Sequence, residues 1–149
     1  RPQIDLLDLS LGNKLELAFF DIEGNKISTS SLGIDYTLVD FWASWCKPCR
    51  QETPTIKYAL QKYPNNFAVY AVSLDDKRAA WQRAINEDST QMFKHLIGTY
   101  PNGQRSRLLR QLNIEIIPTN FLIDNNQRII AKDLHGERLI QVLDSLIQK

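Results

Sequence analysis

Trp42-Ala43-Ser44-Trp45-Cys46-Lys47-Pro48-Cys49-Arg50 carries both cysteines of the chain, two residues apart, directly after the apolar run Thr37-Leu38-Val39-Asp40-Phe41. Such a nearly continuous apolar run suits a parallel strand buried on both faces; Asp40 alone interrupts it. Pro48 suits the first turn of a following helix, where its missing N–H costs little. A thiol at a helix N-terminus meets the positive end of the helix dipole, which lowers its pKa. The expected arrangement puts Cys46 at that terminus with its sulfur exposed. Cys49, one turn further in, is the shielded partner that closes the ring. Two such sulfurs can join and separate reversibly, so the stretch points to thiol–disulfide exchange.

Downstream, the spacing predicts a helix from Pro48 to Tyr63, kinked where the ring of Pro54 meets the carbonyl of Arg50. Phe67 to Leu74 reads as a second buried strand, and Asp75 or Asp76 as the cap of a helix reaching about Ile85. Trp81 falls on the inward stripe of that helix and reads as core. Met92 to Ile97 is short and reads as a strand, Tyr100 to Gly103 as a turn, and Arg105 to Leu112 as a helix. Asn120 to Ile123 and Arg128 to Ala131 form a hairpin around Asn125-Asn126. A closing helix carries Leu139, Leu143, Leu146 and Ile147 on one stripe. Upstream, residues 1–14 read as a leader, Leu15 to Phe20 as a strand, and Gly24-Asn25 as the turn into Lys26-Ile27-Ser28. Strands alternating with helices, then a final hairpin and helix, predict an α/β domain with a mixed sheet, one domain over 1–149.

With 18 basic and 17 acidic residues and no block of like charge, nucleic acid is not an expected partner. No apolar stretch approaches the roughly 20 residues that span a bilayer. Two cysteines do not make a disulfide scaffold. A zinc pair would need four ligands, and the two histidines, His95 and His135, lack the spacing of a zinc motif. No metal site is therefore expected. His95 shows no reason to reach the dithiol, and His135, just before Gly136, either edges the groove or, the preferred reading, is a solvated loop residue.

Val39-Asp40-Phe41-Trp42-Ala43-Ser44-Trp45-Cys46-Lys47-Pro48-Cys49 resembles the active-site segment of thioredoxin-fold proteins. Three further features resemble the TlpA/ResA-like branch. These are Cys46-x-x-Cys49-x-x-Glu52-x-Pro54, an extra segment from about Asp75 to Asn113, and a hairpin ahead of the first core strand. The resemblance implies a mixed central sheet flanked by helices, with that hairpin and a central helical insertion. It implies a thiol-disulfide oxidoreductase whose only redox group is the Cys46–Cys49 disulfide, with no added cofactor. Cys46 attacks a substrate disulfide and Cys49 resolves the mixed disulfide. Asp40, six residues before Cys46, matches the buried acid behind the sulfurs and is expected to take the Cys49 proton; a carboxylate turned to water is the alternative. Glu52 lies three residues past Cys49 and is expected to modulate cysteine acidity, or else to be an ordinary surface residue. Lys47 and Pro48 are expected to tune the couple, although Lys47 reads equally as a solvated side chain. Ile117-Pro118 resembles the cis-proline loop, whose backbone pairs with an extended substrate segment. Trp45 is expected over the dithiol as part of the apolar substrate surface.

The expected partners are a disulfide-containing protein substrate and an upstream thiol donor, the chain itself being a monomer. By resemblance the setting is extracytoplasmic, in the bacterial periplasm or cell envelope, and a membrane tether outside this chain is compatible with it. Reduction of partner proteins is the preferred direction. A copper-binding or copper-site assembly module, in which two thiolates hold Cu(I), is one alternative. A peroxiredoxin-like peroxidase is another.

Overall fold

The computed structural model describes residues 4–148; the first three residues of the expected leader and Lys149 lie outside them. Leu15, Leu17 and Phe19 are buried alternately, the period of a half-buried strand. Only β1 (Ala18–Phe20) joins the ladder, pairing antiparallel with β2 (Lys26–Ser28). The turn between them has Gly24 at φ +83° and Asp21 Oδ1 accepting the N–H groups of Glu23 and Asn25. The central strand β3 (Tyr36–Trp42) is buried from Thr37 onward. It runs parallel to β4 (Phe67–Ser73), which runs parallel to β5 (Lys94–Ile97). On its other side β3 pairs antiparallel with β6 (Thr119–Asp124), and β6 with β7 (Ile129–Lys132). The seven strands thus lie in the order β2-β1-β5-β4-β3-β6-β7, a mixed sheet of the thioredoxin type.

The helix expected over Pro48–Tyr63 is two helices, α1 (Lys47–Gln51) and α2 (Thr53–Lys62). Pro54 has no N–H to return to the Arg50 carbonyl, and its ring crowds that oxygen. The backbone answers at Glu52, whose N–H reaches back to Cys49 O at 3.2 Å, so the expected kink is a break. The inserted segment contributes α3 (Arg78–Glu87), β5 and α4 (Arg107–Leu112). Neither Asp75 nor Asp76 caps α3: Lys77 stands at its N-cap, and the Asp75 side chain is engaged elsewhere. Trp81 and Ala84 of α3 are buried, as the stripe predicts. The closing helix α5 (Glu137–Ile147) buries Leu139 and Leu143 and packs on α2, where Tyr63 donates to Asp144 and Lys62 pairs with it at 2.9 Å. Ser10 and Leu11 precede a short run along β7, in which Gly12 N donates to Ile129 O at 2.7 Å. No described helix is long and apolar enough to cross a membrane.

Candidate active site

β3 ends at Trp42, and four residues later Cys46 caps α1. Its Sγ accepts the backbone N–H of Cys49 at 3.3 Å, satisfying one of the N–H groups that a helix start leaves free. Cys46 and Cys49 are joined as a disulfide, their Cα atoms 5.3 Å apart. Here one expectation is corrected: Cys46 is 5% exposed, little different from Cys49 at 6%. The Cys46 sulfur lies against the first turn of α1, and both cysteines are buried in this disulfide form. Lys47 and Pro48 are exposed beside it.

Asp40 is buried on β3 and lines, with Cys49, a crevice of about 10 Å³, room for roughly one water molecule. Burial pushes its pKa up to about 8, with the nearby Glu52 carboxylate adding to the rise. Its side chain is not turned to water. Trp42, Thr53, Asp88, Thr90 and His95 share the crevice wall. His95, which the sequence assigned no path to the dithiol, therefore stands in the wall behind Cys49. The cause is register: Asp40 pairs with Ala71 and Ala71 with His95, so the three side chains share one face of the sheet.

Glu52 is half-buried and receives a hydrogen bond from His135 Nδ1, 2.8 Å from Oε2 and 3.0 Å from Oε1. His135 is thus no free loop histidine. It is held there by Asn120, which pairs in register with Asp40 and fixes the preceding residue twice. Asn120 Nδ2 donates to Leu134 O at 2.9 Å, and Leu134 N donates to Asn120 Oδ1 at 2.8 Å.

The face around the dithiol is mixed, with Trp45 exposed among Ser44, Lys47 and Gln51. Trp45 is 66% exposed and Ile116 76%. Ile117-Pro118 is a cis peptide bond. Thr119, next in the chain, pairs with Phe41, so the loop and the dithiol segment emerge at the same end of β6 and β3.

Residues 33–129 match the model of a thioredoxin-like family. The chain belongs to that family. It is 27% identical over 136 residues to the thiol-disulfide oxidoreductase ResA of Bacillus cereus, a match covering 87% of this chain and 71% of the relative. It is 34% identical over 95 residues to a DsbE homologue, a thiol:disulfide interchange protein of Paracoccus denitrificans, covering 64% of this chain and 48% of the relative. Among solved structures, the thioredoxin domain of a thiol-disulfide oxidoreductase from Bacteroides vulgatus superposes with a TM-score of 0.81 at 26% identity, covering 94% of this chain and 99% of that one. With the cysteine pair at the head of α1, the chain is a thiol-disulfide oxidoreductase.

Within this thioredoxin-like frame, two contacts that the sequence did not reveal hold the segment before Cys46. The buried Asp75 carboxylate accepts the Ser44 N–H at 3.0 Å, the Ser44 hydroxyl at 2.6 Å and the Ser73 hydroxyl at 2.6 Å. Arg50 meets Asp88 through Nε and Nη2 at 2.8 and 2.9 Å, reaches Glu87, and donates to Ser44 O at 3.2 Å. Those hydrogen bonds to Asp88 and Glu87 hold the guanidinium pKa well above its ordinary value. The available signal was topological: Asp75 follows the C-terminal end of β4, beside the C-terminal end of β3, where side chains from neighbouring parallel strands converge. Asp75→Ala leaves three donors without their acceptor in a buried site. The oxidised protein should lose about 3 kcal/mol in urea denaturation at pH 7, and Asp75→Asn, which keeps one acceptor oxygen, about half as much. Among the described residues no group of three or more His, Cys, Asp or Glu side chains is placed to hold a metal ion.

Proposed function

We propose that the protein passes electrons from an upstream thiol donor to disulfides of partner proteins outside the cytoplasm, in the periplasm or cell envelope of a bacterium. The setting rests on the TlpA/ResA-like resemblance and the similarity to ResA. The observation that carries the mechanism is the Asp40 carboxyl, buried in the same crevice as Cys49. In the reduced protein the Cys46 thiolate attacks one sulfur of a substrate disulfide; that bond breaks and one substrate thiolate leaves. Asp40 takes the proton of Cys49, and the Cys49 thiolate attacks the Cys46 sulfur. The mixed disulfide breaks, the second substrate thiolate leaves, and the two electrons are now on the substrate. The electrons pass through the two cysteines, and Asp40 handles the proton. The donor restores the dithiol by the same exchange.

Glu52 modulates this step because its charge opposes ionisation of Asp40, and His135 holds it in place. Lys47 adds positive charge beside Cys46, and Pro48 stiffens the turn. Trp45 and the backbone of Ile117 beside Pro118 receive an extended, apolar substrate segment, and the chain works as a monomer. A redox-buffer titration of the Cys46–Cys49 couple, read by Trp45 fluorescence, tests the direction. A potential near that of thioredoxin, about −270 mV, is expected; one near that of DsbA, about −120 mV, would make the protein an oxidant.

A further inference from the structure

Two buried polar atoms in the wall behind Cys49 have no hydrogen-bond partner on the protein: Nε1 of Trp42 and Nδ1 of His95. They belong to neighbouring rings, with centroids 5.9 Å apart. Trp42 lies two residues past Asp40 on β3, hence on the same face of the sheet. Between the Asp40 carboxyl and the His95 imidazole stands Ala71, whose methyl group leaves the intervening space open. The tautomer of His95 follows from its other nitrogen. Nε2 lies 2.8 Å from the Thr90 carbonyl oxygen, which can only accept, so Nε2 carries the proton and Nδ1 keeps its lone pair. Burial keeps the ring neutral by pulling its pKa down to about 4, against a smaller opposing effect of the Thr90 bond.

Besides the Thr53 and Thr90 hydroxyls and the Asp88 carboxylate, which is taken up by Arg50, the wall offers one donor that can only donate, one acceptor that can only accept, and the Asp40 carboxyl group. Buried polar groups are almost always satisfied, and a buried water commonly makes about three hydrogen bonds. One water in the crevice can accept from Trp42 Nε1 and donate to His95 Nδ1 and to the Asp40 carboxylate. We propose that His95 is a positioning residue for the exchange reaction: its Nδ1 anchors a water molecule that solvates the Asp40 carboxylate and so keeps Asp40 in the ionised form that takes the proton of Cys49. The functional part rests on the reading of Asp40 as that proton acceptor. The other titratable or charged groups at this spot are Cys49 on α1, Glu52 at the α1–α2 break, and Asp88 after α3 with its partner Arg50. On the outer side of the His95 ring, Asp21 and Lys94 line a separate surface pocket.

His95→Phe keeps a ring and removes both nitrogens, His95→Gln keeps an acceptor, and Ala71→Val fills the space while keeping both His95 nitrogens. The readout is the pH midpoint of the Asp40 carboxyl carbon, followed by NMR in the full chain. His95→Phe and Ala71→Val should each raise that midpoint by about one pH unit, because the anion loses its solvating water. His95→Gln should stay within about 0.3 units of the parent. Turnover at pH 7 should fall about tenfold in the first two variants and recover in the third. An Asp40 midpoint unmoved in His95→Phe, or moved equally by His95→Gln, would overturn the proposal. Should His95→Phe fail to fold, an unmoved midpoint in Ala71→Val would do the same. The two readings fail separately: Asp40→Asn with undiminished turnover removes Asp40 as acceptor, whereas the midpoint belongs to the carboxyl itself and reports the His95 effect either way.

Discussion

Cys49→Ala should stop multiple-turnover disulfide reduction, lowering the rate by about 10³-fold or more, while Cys46 still completes its first attack. The expected product is a mixed disulfide between Cys46 and the substrate, trapped by acid quench and seen as a band that reductant removes. Cys46→Ala should be equally inactive and form no such adduct. The asymmetry follows from position. Cys46 is the N-cap of α1, where its sulfur already accepts an amide N–H and where the helix dipole favours a thiolate. Cys49 sits inside the first turn, against the crevice that holds Asp40. A peroxidase working through Cys46 and an external thiol would survive the loss of Cys49, so sustained turnover in that variant would remove the dithiol mechanism. An adduct on Cys49 in place of Cys46 would reverse the two roles.

Asp40→Asn should make the oxidised protein more stable at high pH and slower as an enzyme. The folded-state pKa of Asp40 is raised by burial, then by Glu52, from the ordinary carboxylate range to about 8. Between pH 4 and 8 the folded protein therefore holds a proton that the unfolded chain has released. Stability from this group is complete below pH 4, declines as pH rises, and is gone above about 8. At roughly 1.4 kcal/mol per pH unit, the whole window is worth on the order of 5 kcal/mol. Asparagine has no such slope. Urea denaturation should show a variant-minus-parent difference growing from pH 5 to pH 9 and then levelling. A difference that stays constant across this range would mean that Asp40 is not protonated in the folded protein. In the reduced enzyme, loss of a proton acceptor should cost about 10²-fold in the resolving step and remove the limb of the pH–rate profile that rises toward pH 8.

Lys47, Pro48 and the cysteine pair could be read in place because their meaning is local. Two cysteines one helical turn apart, a proline in the first turn and an apolar run before them define the dithiol whatever the rest of the chain does. The strands β3, β4 and β6 were legible for a similar reason: strands in the middle of a sheet are apolar on both faces, and composition alone reveals them. The same local reasoning failed at Asp75, where a polar residue before a helix reads as a cap and cannot reveal that its carboxylate is committed to Ser44 and Ser73. It failed also at Pro54, where a proline announces a disturbance but not whether the helix bends or breaks.

The amino-acid sequence by itself thus determined the α/β architecture and the cysteine pair at the head of a helix, because hydrophobic period and short spacings survive without knowledge of the partners; Asp40 as the acid behind the pair came from the resemblance to thioredoxin-fold proteins. Tertiary structure alone decided what surrounds that acid. His95 reaches the crevice through the register of three strands, and His135 meets Glu52 across 83 residues because Asn120 pins the chain beside it. Tertiary packing decided that Cys46 is buried in the disulfide form. Each of these depends on which backbones lie side by side. That is settled by the burial of the whole sheet at once, and no short stretch of residues records it.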